Sequence, residues 1–231
     1  MACAHLLPII HRSNLEDSRR NQIRPTLGNT TVDVSLHTFR SPRLESIAKE
    51  AVKFLEDTPS HLLPPPASFL GAGAYALYYT GRLRLYAKFK NEPTKLGKPI
   101  YVGKAVPPGW RSARTSEGNR TTALYGRLCE HARSIDQTSD LTANAFRCRF
   151  MILTDVEEDL IATVEAQLIR RHRPLWNTVV DGFGNHDPGK GRYNQAKSEW
   201  DVLHPGRAWV SRLTGDSPRI KDVKRKVHAI E

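Results

Sequence analysis

The residues best suited to chemistry begin with two tyrosines on neighbouring expected strands, Tyr75 in Gly73-Ala74-Tyr75 and Tyr101 in Tyr101-Val102-Gly103-Lys104. Arg127 and His131 stand at i and i+4, so on a helix they share one face. Glu165 is the only acidic residue well inside an apolar helical stripe, between Val164 and Leu168. An ionised carboxylate facing a core needs a partner such as a metal ion or an arginine. Asn177 follows the end of that helix, after Pro174-Leu175-Trp176. Each residue also has a plain structural account. Tyrosines in strands ordinarily pack on the sheet. Lys104 fits an exposed strand lysine, and His131 a helix-surface histidine. Arg127 can pair with Glu130 on its own helix, and Glu165 with Arg149 or Arg170. Taken jointly, these accounts require several coincidences.

The elements that must position these residues follow from periodicity and punctuation. A helix fits residues 43–56, with Leu44, Ile47, Ala48, Ala51, Phe54 and Leu55 at helical spacing and Ser41-Pro42 as cap and first turn. The run Pro64-Pro65-Pro66 is a stiff spacer ahead of the main domain. Residues 74–81 read as a strand and turn, and 83–89 could continue a hairpin. Residues 99–106 read as another strand, 107–120 as an exposed loop, and 121–135 as a helix. Residues 145–153 suit a central strand. Thr154-Asp155-Val156-Glu157 has the pattern of a capping box, opening a helix over 155–172 that Pro174 ends. The whole predicts an α/β fold with a small antiparallel or mixed sheet flanked by helices.

Composition bounds the partners. The chain has 231 residues, 39% of them hydrophobic, and a net charge of +11. That is ordinary for a globular protein, and the positive excess suggests a polyanion such as nucleic acid. No apolar run is long enough to span a bilayer. The opening stretch lacks a basic residue before its apolar part and is a poor secretory signal. Cys3, Cys129 and Cys148 are too few and scattered for a disulfide framework or a cysteine-based zinc site, and fit a reducing cytosol.

Tyr75, Tyr101, Lys104, Arg127, His131, Glu165 and Asn177 occur in the order of the GIY-YIG nuclease superfamily, which this chain resembles over about residues 73–178. The first motif departs from the name, with Ala74 in place of isoleucine; the second is Tyr-Val-Gly. Within the superfamily the chain looks most like type II restriction endonucleases, and the segment 179–192 resembles enzymes that cut CCGCGG. Composition and the proline spacer set off an N-terminal arm and helix over 1–66, a candidate for dimer or DNA contacts, and a basic extension over 181–231; the resemblance puts the catalytic core within 67–180. It implies hydrolysis of double-stranded DNA with one Mg²⁺ per site (Mn²⁺ as a substitute) held by Glu165. It implies Tyr101 as general base beside a cation such as Lys104 or in relay to His131, Arg127 on the scissile phosphate, Tyr75 on water or phosphate, and Asn177 orienting its neighbours. It also implies a homodimer in a prokaryotic cytoplasm, paired with a DNA methyltransferase.

Arg111, Arg114, Asn119 and Arg120 in the 107–120 insertion are candidates to read guanine edges or to anchor phosphates. Asn185 and His186 are candidates to contact DNA or to brace the site. Rival readings are weaker. His172, Asn177 and His186 imitate an HNH order without its ββα frame, and Asp222-Val223-Lys224 imitates a D-x-K motif without a strand. A repair or homing nuclease lacks a separate DNA-binding domain here, and a non-catalytic DNA-binding module would not need the full set of reactive types.

Overall fold

The strand AGAYALYY is buried along its whole length, because both of its faces are covered. In the computed structural model, which describes residues 32–110 and 121–230, it is a central strand of four. The strands are β1 (His61–Leu62), β2 (Ala72–Tyr79), β3 (Tyr101–Ala105) and β4 (Phe146–Leu153), in the order β1-β4-β2-β3, with all pairs antiparallel. The helices are α1 (Pro42–Asp57), α2 (Ala123–Asp136), α3 (Ile161–His172), α4 (Leu175–Thr178), α5 (Glu199–Leu203) and α6 (Ile220–His228). This is the α/β sheet flanked by helices that the sequence predicts. Among the described residues, no helix is long and apolar enough to cross a membrane.

Strand alternation sorts the core into two layers. On one face, Ala74, Ala76, Tyr78 and Val102 pack with Val52 and Leu55 of α1 and with Ile161, Val164 and Leu168 of α3. On the other face, Tyr75, Leu77 and Tyr79 pack with Leu124, Leu128 and Ile135 of α2. That second layer is completed by the C-terminal segment. Trp176, Phe183, Trp200, Val223 and Val227 all lie within it. Burying each large side chain contributes roughly 1.5–3 kcal/mol, so residues 181–230 are packed structure and not only a basic extension. Val223 and Val227, at i and i+4, give α6 its buried side.

The chain divides into two units, residues 1–40 and 41–231. In the first, a short 3₁₀ turn (Val34–His37) is capped by the Asp33 carboxylate, which accepts from the Ser35 amide at 3.0 Å. The helix that the sequence groups with the N-terminal arm, α1, falls in the second unit and packs beside α3, where Glu56 pairs with Arg171 at 2.8 Å.

Three local expectations are corrected. Residues 84–89 form 3₁₀ turns and not a second hairpin strand, because Tyr86 and Phe89 dip into the core three residues apart while Leu83 donates its amide to the Tyr79 hydroxyl at 2.7 Å. The capping box does not form. Asp155 takes a left-handed backbone (φ 54°), Thr154 makes no side-chain cap, and residues 155–160 are 3₁₀ before α3 begins at Ile161. Ser41 likewise makes no side-chain cap on α1, though Pro42 does open it.

Candidate active site

The site is built on the register of two strands. Tyr75 on β2 lies opposite Gly103 on β3, and Tyr101 lies opposite Leu77, so both phenols stand on the α2 side of the sheet. Gly103 is a steric requirement: a Cβ there would run into the Tyr75 ring and hydroxyl and come within 3.1 Å of the Tyr101 ring. Gly73 is required for another reason. Its φ is +156°, and a Cβ would collide with the Met151 carbonyl on β4. Ala74 faces the opposite layer, under α1 and α3. The departure from isoleucine in the first motif is therefore on the face turned away from the phenols.

One turn of α2 brings Arg127 and His131 over those phenols. His131 Nε2 and the Tyr75 hydroxyl are 2.6 Å apart, and the Tyr101 and His131 ring centroids are 5.2 Å apart. Phe183 stacks on His131 at 4.6 Å and meets Tyr101 edge-on at 4.8 Å. Burial dominates the protonation of this cluster. It holds Tyr75 well above the ordinary phenol range, with the Tyr101 charge adding to the effect and Arg127 opposing it. Burial raises Tyr101 too, again opposed by Arg127. Burial, reinforced by Arg127, His186 and Arg207, holds His131 well below the ordinary imidazole range. At neutral pH both phenols keep their protons and His131 is uncharged.

Arg127 is the cation beside the phenols. Its Nη1 donates to Glu130 at 2.9 Å and meets His186 Nε2, and its Nη2 donates to the Gly184 carbonyl at 2.9 Å. Lys104 does not serve that purpose. It lies on the other side of the pleat, opposite Ala74, and forms an ion pair with Glu165. Glu165 thus takes Lys104 as its partner, not Arg149 or Arg170. Its side chain is 18% exposed, at the edge of the sheet and not sealed in the core.

Asn177 acts on the backbone. β3 is an edge strand, and the Asn177 side chain stands where a fifth strand would pair. Its Oδ1 accepts from the Val102 amide and its Nδ2 donates to the Val102 carbonyl, both at 2.8 Å. The Trp176 amide caps the Ile100 carbonyl in the same way at 2.9 Å. The structure therefore gathers Tyr75, Tyr101, Arg127 and His131 into one cluster. The Lys104–Glu165 pair lies near enough for its carboxylate to raise both phenols, and Asn177 supports β3 from behind.

A family model described as the Eco29kI GIY-YIG domain matches residues 67–230. The chain belongs to this family. An Eco29kI-type GIY-YIG domain is a restriction endonuclease domain, so the chain is a hydrolytic nuclease of the restriction type and DNA is its substrate. No curated protein matches the chain. The family match runs through the C-terminal segment to residue 230, consistent with the packing of that segment into the core.

Of the DNA-contact candidates, Arg111, Arg114, Asn119 and Arg120 lie outside the described residues. His186 braces Arg127, while the Asn185 carbonyl accepts from Arg207 at 3.1 Å. Sequence reasoning missed Phe183 and Gly184. Both lie in the same Gly-rich stretch as Asn185 and His186, and an aromatic flanked by Gly182 and Gly184 was the available signal. It also missed Arg207, which nothing in its local sequence distinguishes from the other arginines. Among the described residues, no group of three or more His, Cys, Asp or Glu gathers as a metal cage. Glu165 alone still suits Mg²⁺, a hard ion that commonly takes one or two carboxylates and completes its shell with waters and phosphate oxygens.

Proposed function

We propose that this chain is a type II restriction endonuclease that hydrolyses both strands of a short GC-rich palindrome of the CCGCGG kind, with one divalent ion in each active site. The observation that carries this reading is the convergence of Tyr75, Tyr101, His131 and Arg127 over Gly103, with Glu165 on the neighbouring helix. These are the parts phosphodiester hydrolysis needs: a proton path for the attacking water, a cation for the phosphate, and a carboxylate for a metal ion.

In this reading, neither phenol has to ionise. Water held against the Tyr101 oxygen gives up its proton as Tyr101 passes its own to Tyr75, and Tyr75 passes its own to His131 Nε2. The phenols end as they began, and the imidazole holds the proton. Arg127 takes the scissile phosphate through Nη1, in place of Glu130. Glu165 would hold Mg²⁺, or Mn²⁺ as a substitute, in exchange for Lys104; when bound, the ion supplies neutralisation of charge on the phosphoryl group and on the departing 3′ oxygen. Asn177 orients β3 and touches no reactant.

A palindrome is cut in both strands most simply by a symmetric homodimer. The 1–66 region is the candidate for dimer or DNA contacts. The 107–120 insertion, with Asn185 and His186, is the candidate for DNA reading, and Asn185 and His186 line a cavity of about 320 Å³ together with Arg192 and Gln195. The setting is a prokaryotic cytoplasm with a cognate DNA methyltransferase. The test is plasmid digestion with Mg²⁺ followed by sequencing of the ends. Discrete fragments with one shared end sequence support a restriction enzyme. Random nicking, or tight binding without cleavage, overturns that reading. Glu165→Gln should abolish cutting while DNA binding survives, and normal cutting by that variant would remove Glu165 from the metal role.

A further inference from the structure

Three of the contacts that order the site come from one loop. Phe183 lies on His131, the Gly184 carbonyl on Arg127, and the His186 imidazole on Arg127. The loop is poorly suited to hold itself, since glycine stands at 182 and 184 and Gly182 has a φ of +95°. It is held instead by a buried arginine some twenty residues along the chain.

Arg207 is 2% exposed, and its guanidinium makes four hydrogen bonds beside an ion pair with Asp201. Nε donates to Asp201 Oδ1 at 2.7 Å, and Nη2 lies in ion-pair contact with the same oxygen at 2.7 Å. Nη2 also donates to the Gly182 carbonyl at 2.9 Å, and Nη1 to the Phe183 and Asn185 carbonyls at 3.1 Å each. Trp200 and Trp209 present their rings to the guanidinium at 4.7 and 4.8 Å. Asp201 is fixed in turn, its Oδ2 accepting from Ser198 Oγ at 2.6 Å. Four consecutive carbonyls, 182 to 185, are thus shared between two arginines. Three turn onto Arg207, and the fourth, Gly184, goes to Arg127. An ammonium offers three donors from a single point and cannot span this set.

We infer that Arg207, locked by Asp201, is a positioning residue for DNA hydrolysis: it shapes the 182–186 loop so that Phe183, Gly184 and His186 hold His131 and Arg127 in reacting geometry. The inference rests on the nuclease reading above. Arg207 is sealed behind the loop, so its effect falls on the chemical step and not on DNA affinity. Displacing a reacting group by about 1 Å costs on the order of 100-fold in rate.

Arg207→Lys tests this, with single-turnover cleavage measured at saturating enzyme and DNA affinity measured separately without metal. Gly184→Ala acts on the other end of the same clamp, since its Cβ would come 2.7 Å from the Tyr101 hydroxyl and 3.3 Å from Arg127 Nη2. Val227→Ala, in the α6 core contact, serves as a control for lost stability. The expected result is a cleavage rate about 100-fold lower in R207K and at least tenfold lower in G184A. The Kd for DNA should stay within about threefold of wild type, and V227A should keep its rate at saturating enzyme. A folded R207K that cuts at the wild-type rate overturns the inference, as does a parallel fall of rate and affinity, or an equal rate loss in V227A. If R207K does not fold, a folded G184A that cuts at the wild-type rate overturns it. A wild-type chain that cuts no DNA overturns the nuclease reading and this inference with it.

Discussion

Removing the Asn177 amide should cost stability through the backbone of β3. Asn177→Ala deletes two hydrogen bonds of 2.8 Å, one to the amide and one to the carbonyl of Val102. Val102 is 0% exposed, so both groups are left facing a gap. A hydrogen bond contributes roughly 0.5–1.5 kcal/mol net, and a buried group left without its partner costs roughly 1–3 kcal/mol. Two such groups set the expected loss at about 2–4 kcal/mol. Asn177→Asp gives a sharper signature. One carboxylate oxygen can still accept from the Val102 amide, but the other faces the Val102 carbonyl with nothing to donate. Protonation restores the donor, so the folded-state pKa of the new carboxyl lies above its unfolded value. The stability that protonation adds is present at low pH and lost as pH rises through the folded pKa. The gap between N177D and wild type should therefore be about 2–4 kcal/mol at pH 7 and should narrow below about pH 5. Guanidinium unfolding followed by tryptophan fluorescence measures it, with Trp176 next door as the reporter. An N177A variant within 0.5 kcal/mol of wild type, or an N177D gap that widens on acidification, would refute the strand-mimic role of this side chain. Full stability with lost cleavage would instead place Asn177 against the DNA.

Gly103→Ala should lower stability by about 1–3 kcal/mol, as the new methyl forces the Tyr75 ring from its place, and should lower cleavage more than binding; unchanged melting temperature and rate would show that the phenols do not need this gap. His131, held uncharged by burial, ties stability to pH. Its folded pKa is depressed, so the unfolded chain binds the extra proton below about pH 6.5, and stability should fall with acidification by up to about 1.4 kcal/mol per pH unit from this group. His172, depressed in the same direction by burial, adds to the slope. His131→Asn should flatten the melting-temperature profile between pH 7 and 5, and an unchanged profile would mean that His131 is charged in the fold.

The site was legible where a residue type is rare in its setting. A carboxylate within an apolar stripe, an arginine and a histidine one turn apart, and tyrosines on strands that each carry a glycine all marked positions that the structure brings together. The composition also pointed to the right class of partner. The rest depended on long-range geometry. Residues 84–89 have the β-forming composition of a strand, but the β2 edge they would need is taken by β3 (Leu77 pairs with Tyr101), so they coil into 3₁₀ turns. The 154–157 pattern has the letters of a capping box, yet Asp155 adopts a backbone in which the box cannot close. Arg207 looked like one more positive charge because its partners are backbone carbonyls, which carry no sequence signal. The Lys104–Glu165 pair left no local signal, because the two residues lie 61 positions apart and meet only once α3 crosses β3.

The charges of the resting site are largely paired within the protein, and this bears on how catalysis would begin. Lys104 neutralises Glu165, and Arg127 is shared among Glu130, His186 and the Gly184 carbonyl. The Arg127–Glu130 contact is an i,i+3 pair with Glu130 44% exposed, a class worth roughly 0.3–0.5 kcal/mol. In the proposed reading, a DNA phosphate would displace Glu130 from Nη1 at little cost and receive a charge-assisted hydrogen bond about twice as strong as a neutral one. Nη2 need not move, because Gly184 keeps it in place. The same exchange acts on His131. Arg127 is, after burial, the largest influence holding that imidazole uncharged, and a phosphate seated on Arg127 offsets its charge. His131 would then become a better proton acceptor only when substrate is bound. In this arrangement Arg127 adds to the low basicity that burial gives His131, and a bound phosphate would remove that added part.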